Sequence, residues 1–229
     1  MLANITPFFL FAAFLLELLA SLSVPVIKSI YLFRLSVDAS IKLLDSSATG
    51  SVKFGVWGYC ISAVDVSILG KDHDVSAKCS KTALGYTFDD TVASALHVSV
   101  PNDSISHALS IALVMHPIAC GLISAALVSS LLALCWRSKG TSRITSLATL
   151  VSSLVAAVLT TVICLVDVIF VATVRHHIDS ESNGAIDLTW GNAVWMTLGA
   201  TIALWIAVVG ACAAICMCRR DVNTDADRY

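Results

Sequence analysis

Charged side chains are scarce in this sequence. Asp, Glu, Lys and Arg together make up 13% of the 229 residues, whereas hydrophobic residues make up 57%. An ordinary soluble domain has roughly 25% charged residues, so this chain has too few polar side chains to cover a water-exposed surface. The scarcity of charge therefore excludes a soluble protein and predicts a membrane protein. The net charge of −2 also gives no basic surface of the kind that binds nucleic acid.

Catalytic and metal-binding signatures are missing as well. The sequence has no Ser/His/Asp arrangement of a hydrolase, no phosphate-binding loop and no HExxH motif. His73, His176 and His177 lie in polar segments but lack the tight spacing of zinc ligands. A transporter would be expected to contain more membrane spans around a central site. We therefore expect a protein without enzymatic activity, cofactor, metal ion or small-molecule substrate.

Four apolar runs are long enough to cross a bilayer, whose core of about 30 Å requires about 20 apolar residues in a helix. The first run, from about Pro7 to Phe33, lacks the basic start of a signal peptide. A retained span is therefore favoured over cleavage at the small residues 20–23. The predicted organisation is an N-terminus and first span in 1–33, an outer loop in 34–107, a second span in 108–136, an inner loop in 137–143, a third span in 144–174, an outer loop in 175–192, a fourth span in 193–218 and a tail in 219–229.

The distribution of basic residues predicts the orientation. The 137–143 loop contains three basic residues and no acidic one, and Arg219 and Arg220 follow the fourth span directly. Because short cytosolic loops are enriched in Lys and Arg, this loop and both termini are expected in the cytosol. The 34–107 and 175–192 segments would then face the oxidising outer side, where disulfides form.

The long outer segment has the features of a small β-containing domain. The runs "SIKLLD" (40–45) and "SVKFGVWGYCISAV" (51–64) are predicted strands separated by the turn-like "SSATG", and "FDDTVASALHVSV" (88–100) is a predicted short helix that ends at Pro101. Of the eight cysteines, only Cys60 and Cys79 lie in a polar segment. A bridge between them is favoured over two free thiols, because a small domain with few core residues needs a covalent staple.

Three ionisable side chains lie within the predicted spans: Glu17, His116 and Asp167. Such groups are unfavourable in lipid and face the interior of a helix bundle. Counting from the span ends places Glu17 and His116 near the midplane, where they can meet, and Asp167 toward the outer third. One interpretation is a proton-responsive switch. The other is polar glue between helices, which is favoured because a kink at Pro117 frees a backbone carbonyl for His116.

The ends of the fourth span carry two further features. Trp195, together with Trp190, brackets the outer boundary of the membrane, as interfacial aromatic residues do. Cys216 and Cys218 stand beside the two arginines at the inner boundary, where cysteines are candidates for palmitoylation. Unmodified apolar cysteines are the alternative.

Four motifs in one order resemble the fungal PalI/Sur family of four-span plasma-membrane proteins. "FGVWGYC" (54–60) followed by "CSKTALGY" (79–86) resembles the signature of the family's outer loop. "LVMHPIACGL" (113–122) is similar to its second span, "LVDVIFVATVRHH" (165–177) to its third and "GNAVWMTLGA" (191–200) to the start of its fourth. The resemblance singles out an ectodomain set and a span set of residues, namely Phe54, Gly55, Trp57, Gly58, Tyr59, Gly85 and Tyr86, and Pro117, Gly121, Gly191, Asn192 and Trp195.

The predicted spans and strands together indicate an all-α membrane protein: a bundle of four transmembrane helices with a small β-containing extracellular domain in the first loop. The four-span layout of the family agrees with this fold. The resemblance implies one of two functions at the plasma membrane. PalI-type members support a seven-span sensor of ambient pH, upstream of proteolytic activation of a zinc-finger transcription factor. Sur-type members mark stable cortical domains and influence endocytosis and the cell wall. The expected partners are therefore the lipid bilayer and a larger membrane protein such as the sensor, or a second copy of the chain.

The layout also resembles that of claudins, which places a pore or junction protein as a distant third alternative. Gly55, Val56, Trp57 and Cys60 match the later part of the claudin pattern in the first outer loop. The spacing between Cys60 and Cys79 is longer than in claudins, which argues against a protein of cell junctions.

Overall fold

The computed structural model describes residues 5–41, 46–62, 64–68, 71–75, 77–81, 104–135, 142–181 and 186–226. The chain divides into two compact units. The helical unit comprises Met1–Leu18, Pro117–Cys164 and Met196–Tyr229, and the sheet unit comprises Leu19–His116 and Leu165–Trp195.

Four helices run through the described residues. They are α1 (Ile5–Ser21), α2 (Ser104–Cys135), α3 (Ser142–Glu181) and α4 (Asn192–Ala226). Three segments of them are long and apolar enough to cross a membrane, namely Val114–Cys135, Thr145–His176 and Asn192–Ile215, and α1 is a shorter apolar helix. These helices, with the sheet described below, confirm the predicted fold class.

The first apolar run divides between a helix and a strand. The helix α1 ends at Ser21, and turns occupy residues 22–26 and 28–29 before a strand begins at Phe33. Pro25 explains this end, because proline has no N–H for a helical hydrogen bond and disfavours helical geometry at the preceding residue. The backbone of the turn closes locally, with Ile27 N donating to Leu22 O at 3.1 Å. The helix is therefore shorter than the apolar run of 7–33.

The helical unit is packed through small side chains. Its core contains Leu10, Ala13, Ile123, Ala126, Ala156, Ala157, Ala200, Ala203, Leu204, Ala207 and Val208, so that all four helices contribute. Larger apolar side chains face outward instead, with Phe8 and Val209 each 67% exposed. Membrane helices pack in this way, because small residues let backbones approach closely and lipid solvates the large ones. The four helices therefore form a bundle suited to an apolar solvent.

The sheet unit contains one antiparallel sheet of seven strands. The strands are β1 (Phe33–Ile41), β2 (Ser46–Phe54), β3 (Tyr59–Ile61), β4 (Val64–Ile68), β5 (Lys71–Val75), β6 (Lys78–Cys79) and β7 (Ile186–Trp190). The main path runs β5-β4-β2-β1-β7, and β3 pairs with both β2 and β6. The strands β1 and β7 pair along Val37–Phe33, so the chain that follows α1 and the chain that precedes α4 join in one sheet.

The register of the sheet corrects two local predictions. The "SSATG" segment forms the first half of β2 and pairs with β1 from Ile41↔Ser46 to Val37↔Gly50, so it is not a turn. Its small and polar residues are tolerated because β2 is held by β1 on one side and by β4 on the other. The predicted single strand of 51–64 is interrupted after Phe54 and resumes at Tyr59. The strand β7 was not predicted, and the predicted helix of 88–100 lies outside the described residues.

Candidate functional site

The segment Phe54–Cys60 is a tight turn that packs against the chain leaving α1. Gly55 N donates to Gly58 O at 2.9 Å and closes the turn. Three bonds then attach it to the 21–24 segment: Val56 N to Ser23 Oγ at 2.8 Å, Trp57 N to Val24 O at 3.3 Å, and Trp57 Nε1 to Ser21 O at 2.5 Å. The motif therefore connects the first strand hairpin to the end of the first helix.

Gly55 is required by this close approach. A Cβ built on it would lie 2.5 Å from Val24 O and 2.7 Å from Val24 Cβ. The neighbouring apolar side chains are also inaccessible, since Phe54 is 1% exposed and Val56 is fully buried. Of the three aromatic residues in the motif, Phe54 and Tyr59 are buried and Trp57 is half-buried. Most of the motif is therefore internal to the sheet unit and holds it together.

A disulfide fixes the other side of the turn. Cys60 and Cys79 are bonded and occupy facing positions of β3 and β6, which confirms the predicted pairing. The backbone beside the bridge is tied in both directions, with Ser80 N donating to Tyr59 O at 2.9 Å and Tyr59 N donating to Ser80 Oγ at 3.1 Å. Gly85 and Tyr86, the last members of the predicted motif, lie outside the described residues.

The start of α4 also binds the segment that joins α1 to β1. Asn192 Oδ1 accepts from Tyr31 N at 3.0 Å, and Asn192 Nδ2 donates to Ser29 O at 2.9 Å. Gly191 N donates to Leu32 O at 2.8 Å, and a Cβ on Gly191 would overlap the carbonyl oxygens of Tyr31 and Leu32. Gly191 and Asn192 belong to the predicted span motif, whereas their partners at Ser29, Tyr31 and Leu32 were not predicted. Segments 21–32, 54–60 and 190–193 form what we call the junction.

Two ionisable side chains meet where α2 and α3 enter the sheet unit, which includes His116 and Asp167. His116 Nε2 of α2 lies 3.4 Å from Asp167 Oδ2 of α3, and the two side chains are 0% and 6% exposed. Glu17 is also fully buried, and its expected contact with His116 stays a prediction. The contact between His116 and Asp167 was not predicted, because residue counting gives the depth of a side chain in the membrane but not the direction in which each helix faces.

A family comparison identifies the chain. The model of the SUR7/PalI family matches residues 3–207, which is most of the 229 residues. The chain belongs to the SUR7/PalI family. No curated protein matches it. For this SUR7/PalI protein, the matched region contains the junction, the disulfide and the His116–Asp167 pair.

The remaining candidate residues of the SUR7/PalI chain have few described contacts. Pro117 lies inside α2, a Cβ on Gly121 would meet nothing within 4 Å, and Trp195 is 63% exposed. The side chains of Cys216 and Cys218 lie outside the described part, as does that of His73. Among the residues that the structure describes, no cluster of three or more His, Cys, Asp or Glu side chains could hold a metal ion.

Proposed function

We propose that this SUR7/PalI protein is a non-enzymatic accessory protein of ambient-pH signalling at the plasma membrane. In this role it supports a larger seven-span sensor, upstream of the proteolytic activation of a zinc-finger transcription factor. The observation that carries the proposal is the family match over residues 3–207, on a chain whose helices suit lipid and whose two outer segments share one sheet.

The junction supports an accessory role rather than a catalytic one. Several of its polar groups form bonds that hold the sheet to the ends of α1 and α4, including both ends of the Asn192 side-chain amide. An outer sheet whose strands are tied to the end of α1 and the start of α4 can stabilise or orient a partner in the same membrane. The partner recognised in this way is a membrane protein that crosses the bilayer beside the bundle.

The orientation belongs to the same proposal. Both termini and the 137–143 loop are placed in the cytosol, because the basic residues of the short loops cluster there. The sheet then lies outside, where the Cys60–Cys79 bridge is stable in an oxidising environment.

Organisation of cortical plasma-membrane domains is the second candidate. The family name covers both PalI and SUR7 proteins, and the outward-facing large apolar side chains of the bundle fit a protein that assembles laterally in lipid. Function as a pore or junction protein, the third alternative, predicts ion conductance after reconstitution.

The deciding experiment measures processing of the zinc-finger transcription factor after an alkaline shift in cells that lack this chain. The signalling role predicts that processing is lost and that the wild-type gene restores it. Normal processing in the deletion strain would reject that role. Fluorescence recovery of the tagged chain in the same cells then tests the second candidate, since a cortical organiser forms immobile patches whereas an accessory subunit redistributes with its sensor.

A further inference from the structure

Two cations occupy directly facing positions on the polar face of the sheet. Arg34 of β1 pairs in register with Lys53 of β2 on one side and with Thr189 of β7 on the other. Facing residues of antiparallel strands place their side chains on the same face. The flanking pair Phe33↔Phe54 lies on the opposite face, where the two rings stack with centroids 4.6 Å apart. Arg34 and Lys53 are therefore neighbours across the strands.

Within the part of the chain that the structure describes, this pair has no counter-charge in contact with it. Like charges at facing positions destabilise a sheet, yet no carboxylate of the described residues lies within ion-pair distance of Arg34 or Lys53. The Nε of Arg34 is buried without a hydrogen-bond partner among those residues. A buried guanidinium nitrogen that donates to nothing is unfavourable, so this nitrogen can still donate to an acceptor that bears negative charge.

The neighbourhood holds the Lys53 ammonium in place. Lys53 Nζ lies 5.3 Å from the centroid of the Tyr31 ring, a cation–π distance. The Tyr31 backbone is fixed in turn by the Asn192 side chain. This contact does not use the N–H donors that point away from the ring. The ammonium therefore keeps donors for a ligand at a position that faces Arg34 across the strands.

The pair is close to the membrane surface. Thr189, which faces Arg34, precedes by three residues the membrane-span candidate that begins at Asn192. At about 3.3 Å per residue, this places Arg34 within about 10 Å of the start of that span. Phosphate groups of lipids lie in this headgroup layer, and free phosphate can reach the same position from the outer solution.

We propose that Arg34 and Lys53 form a binding site for a phosphate group. Arginine binds phosphate through its planar fork of donors, and lysine adds a point charge. The same chemistry accepts the phosphodiester of a phospholipid headgroup or inorganic phosphate. Asp187 is exposed and faces Ser36, on the same side of the sheet as Arg34. Its negative charge repels a phosphate group and weakens the binding of either ligand.

The test uses the purified full chain in a maltoside detergent, which carries no phosphate. One arm adds phosphatidylglycerol, with diacylglycerol of the same acyl chains as the phosphate-free comparison. The other arm adds inorganic phosphate against chloride at equal ionic strength. For each probe, the thermal unfolding midpoint is measured at increasing probe concentration. The readout is the concentration that gives half of the maximal shift, so that each variant is compared with its own midpoint without the probe.

Arg34→Gln and Lys53→Gln are expected to raise that concentration about tenfold or more, because each removes a charged donor to the phosphate. Lys28→Gln is the matched control, since Lys28 is an exposed cation of the same unit and its loss changes the net charge equally. Asp187→Asn is expected to lower the concentration. Arg34→Lys keeps the charge without the fork and is expected to fall between wild type and Arg34→Gln.

A shift by phosphatidylglycerol but not by diacylglycerol would identify the ligand as a lipid headgroup. A shift by inorganic phosphate, with phosphatidylglycerol no better than diacylglycerol, would identify the free anion. The proposal is overturned if neither probe shifts the wild-type midpoint, or if Lys28→Gln weakens the response as much as the two site variants do.

Discussion

At the scale of single residues, the glycines of this chain differ sharply in the space around them. Gly55 is buried against the backbone of Val24, whereas Gly121 lies on an exposed face of α2 with nothing within 4 Å of a built Cβ. The first position tolerates no side chain because a backbone carbonyl occupies the space. The second tolerates one freely.

Gly55→Ala is therefore expected to destabilise the protein by about 1–3 kcal/mol, the usual range for overpacking a core, because neither the turn nor the 21–24 segment can retreat without losing its hydrogen bonds. Gly121→Ala serves as the matched control and is expected to be neutral or slightly stabilising, since alanine favours a helix over glycine. Thermal unfolding midpoints of the two purified variants measure the difference. Equal midpoints would show that the junction is looser than the contacts imply.

At the scale of secondary-structure elements, the short strands β3 and β6 depend on the disulfide. Their pairing consists of two register positions, Cys60↔Cys79 and Ile61↔Lys78. So few paired positions hold β6 to β3 weakly, and the bridge reinforces them together with the flanking bonds between Tyr59 and Ser80.

Replacing both bridged cysteines, as Cys60→Ser with Cys79→Ser, is expected to destabilise the sheet by about 3 kcal/mol, because a loop with a sequence separation of 19 regains its chain entropy when unfolded. The variant should be retained in the secretory pathway. Surface biotinylation measures delivery, and Cys212→Ser is the control because Cys212 is a free, exposed cysteine of α4. Normal delivery of the double variant would contradict a structural role for the bridge.

The helices α2 and α3 are connected by the His116–Asp167 pair. Polar contacts of this kind in a membrane contribute about 0.6–2 kcal/mol, and two residues in contact do not contribute to stability independently. Removing the second group is therefore expected to cost less once the first is gone.

A double-mutant cycle with His116→Leu and Asp167→Leu tests this contact. The double variant is expected to be more stable than the sum of the two single effects predicts, by about 0.5–2 kcal/mol, because contacting residues couple. Unfolding of the four proteins in one detergent gives the coupling energy. Strict additivity would mean that the two side chains act independently, and the same cycle repeated at several pH values would reveal whether the contact responds to protons.

At the scale of the whole molecule, the arrangement of side chains is the reverse of that in a soluble protein. Alanines fill the core of the helical unit, and large apolar residues such as Ile202, at 55% exposure, lie on its outside. This arrangement is stable only where the solvent is itself apolar.

Ile202→Lys is accordingly expected to impair membrane insertion of α4 by about 3 kcal/mol, the penalty for a lysine near the centre of a span. Ile202→Leu is the control and should insert normally. A glycosylation-based insertion assay of the two variants measures the difference. Efficient insertion of the lysine variant would indicate that this face of α4 meets water or a polar partner.

The apolar runs, the cysteine pair in a polar segment and the ordered motifs were readable from the chain, because span length, redox environment and family pattern are local or compositional properties. They predicted the three long helices, the disulfide and the family, whereas the first apolar run was predicted as one span and divides between a helix and a strand. Local patterns did not reveal that β7 joins β1, that "SSATG" is a strand or that His116 meets Asp167. Each of these depends on which distant segments face one another. Only the tertiary structure decides this, since strand pairing and helix rotation satisfy hydrogen bonds and burial across the whole chain.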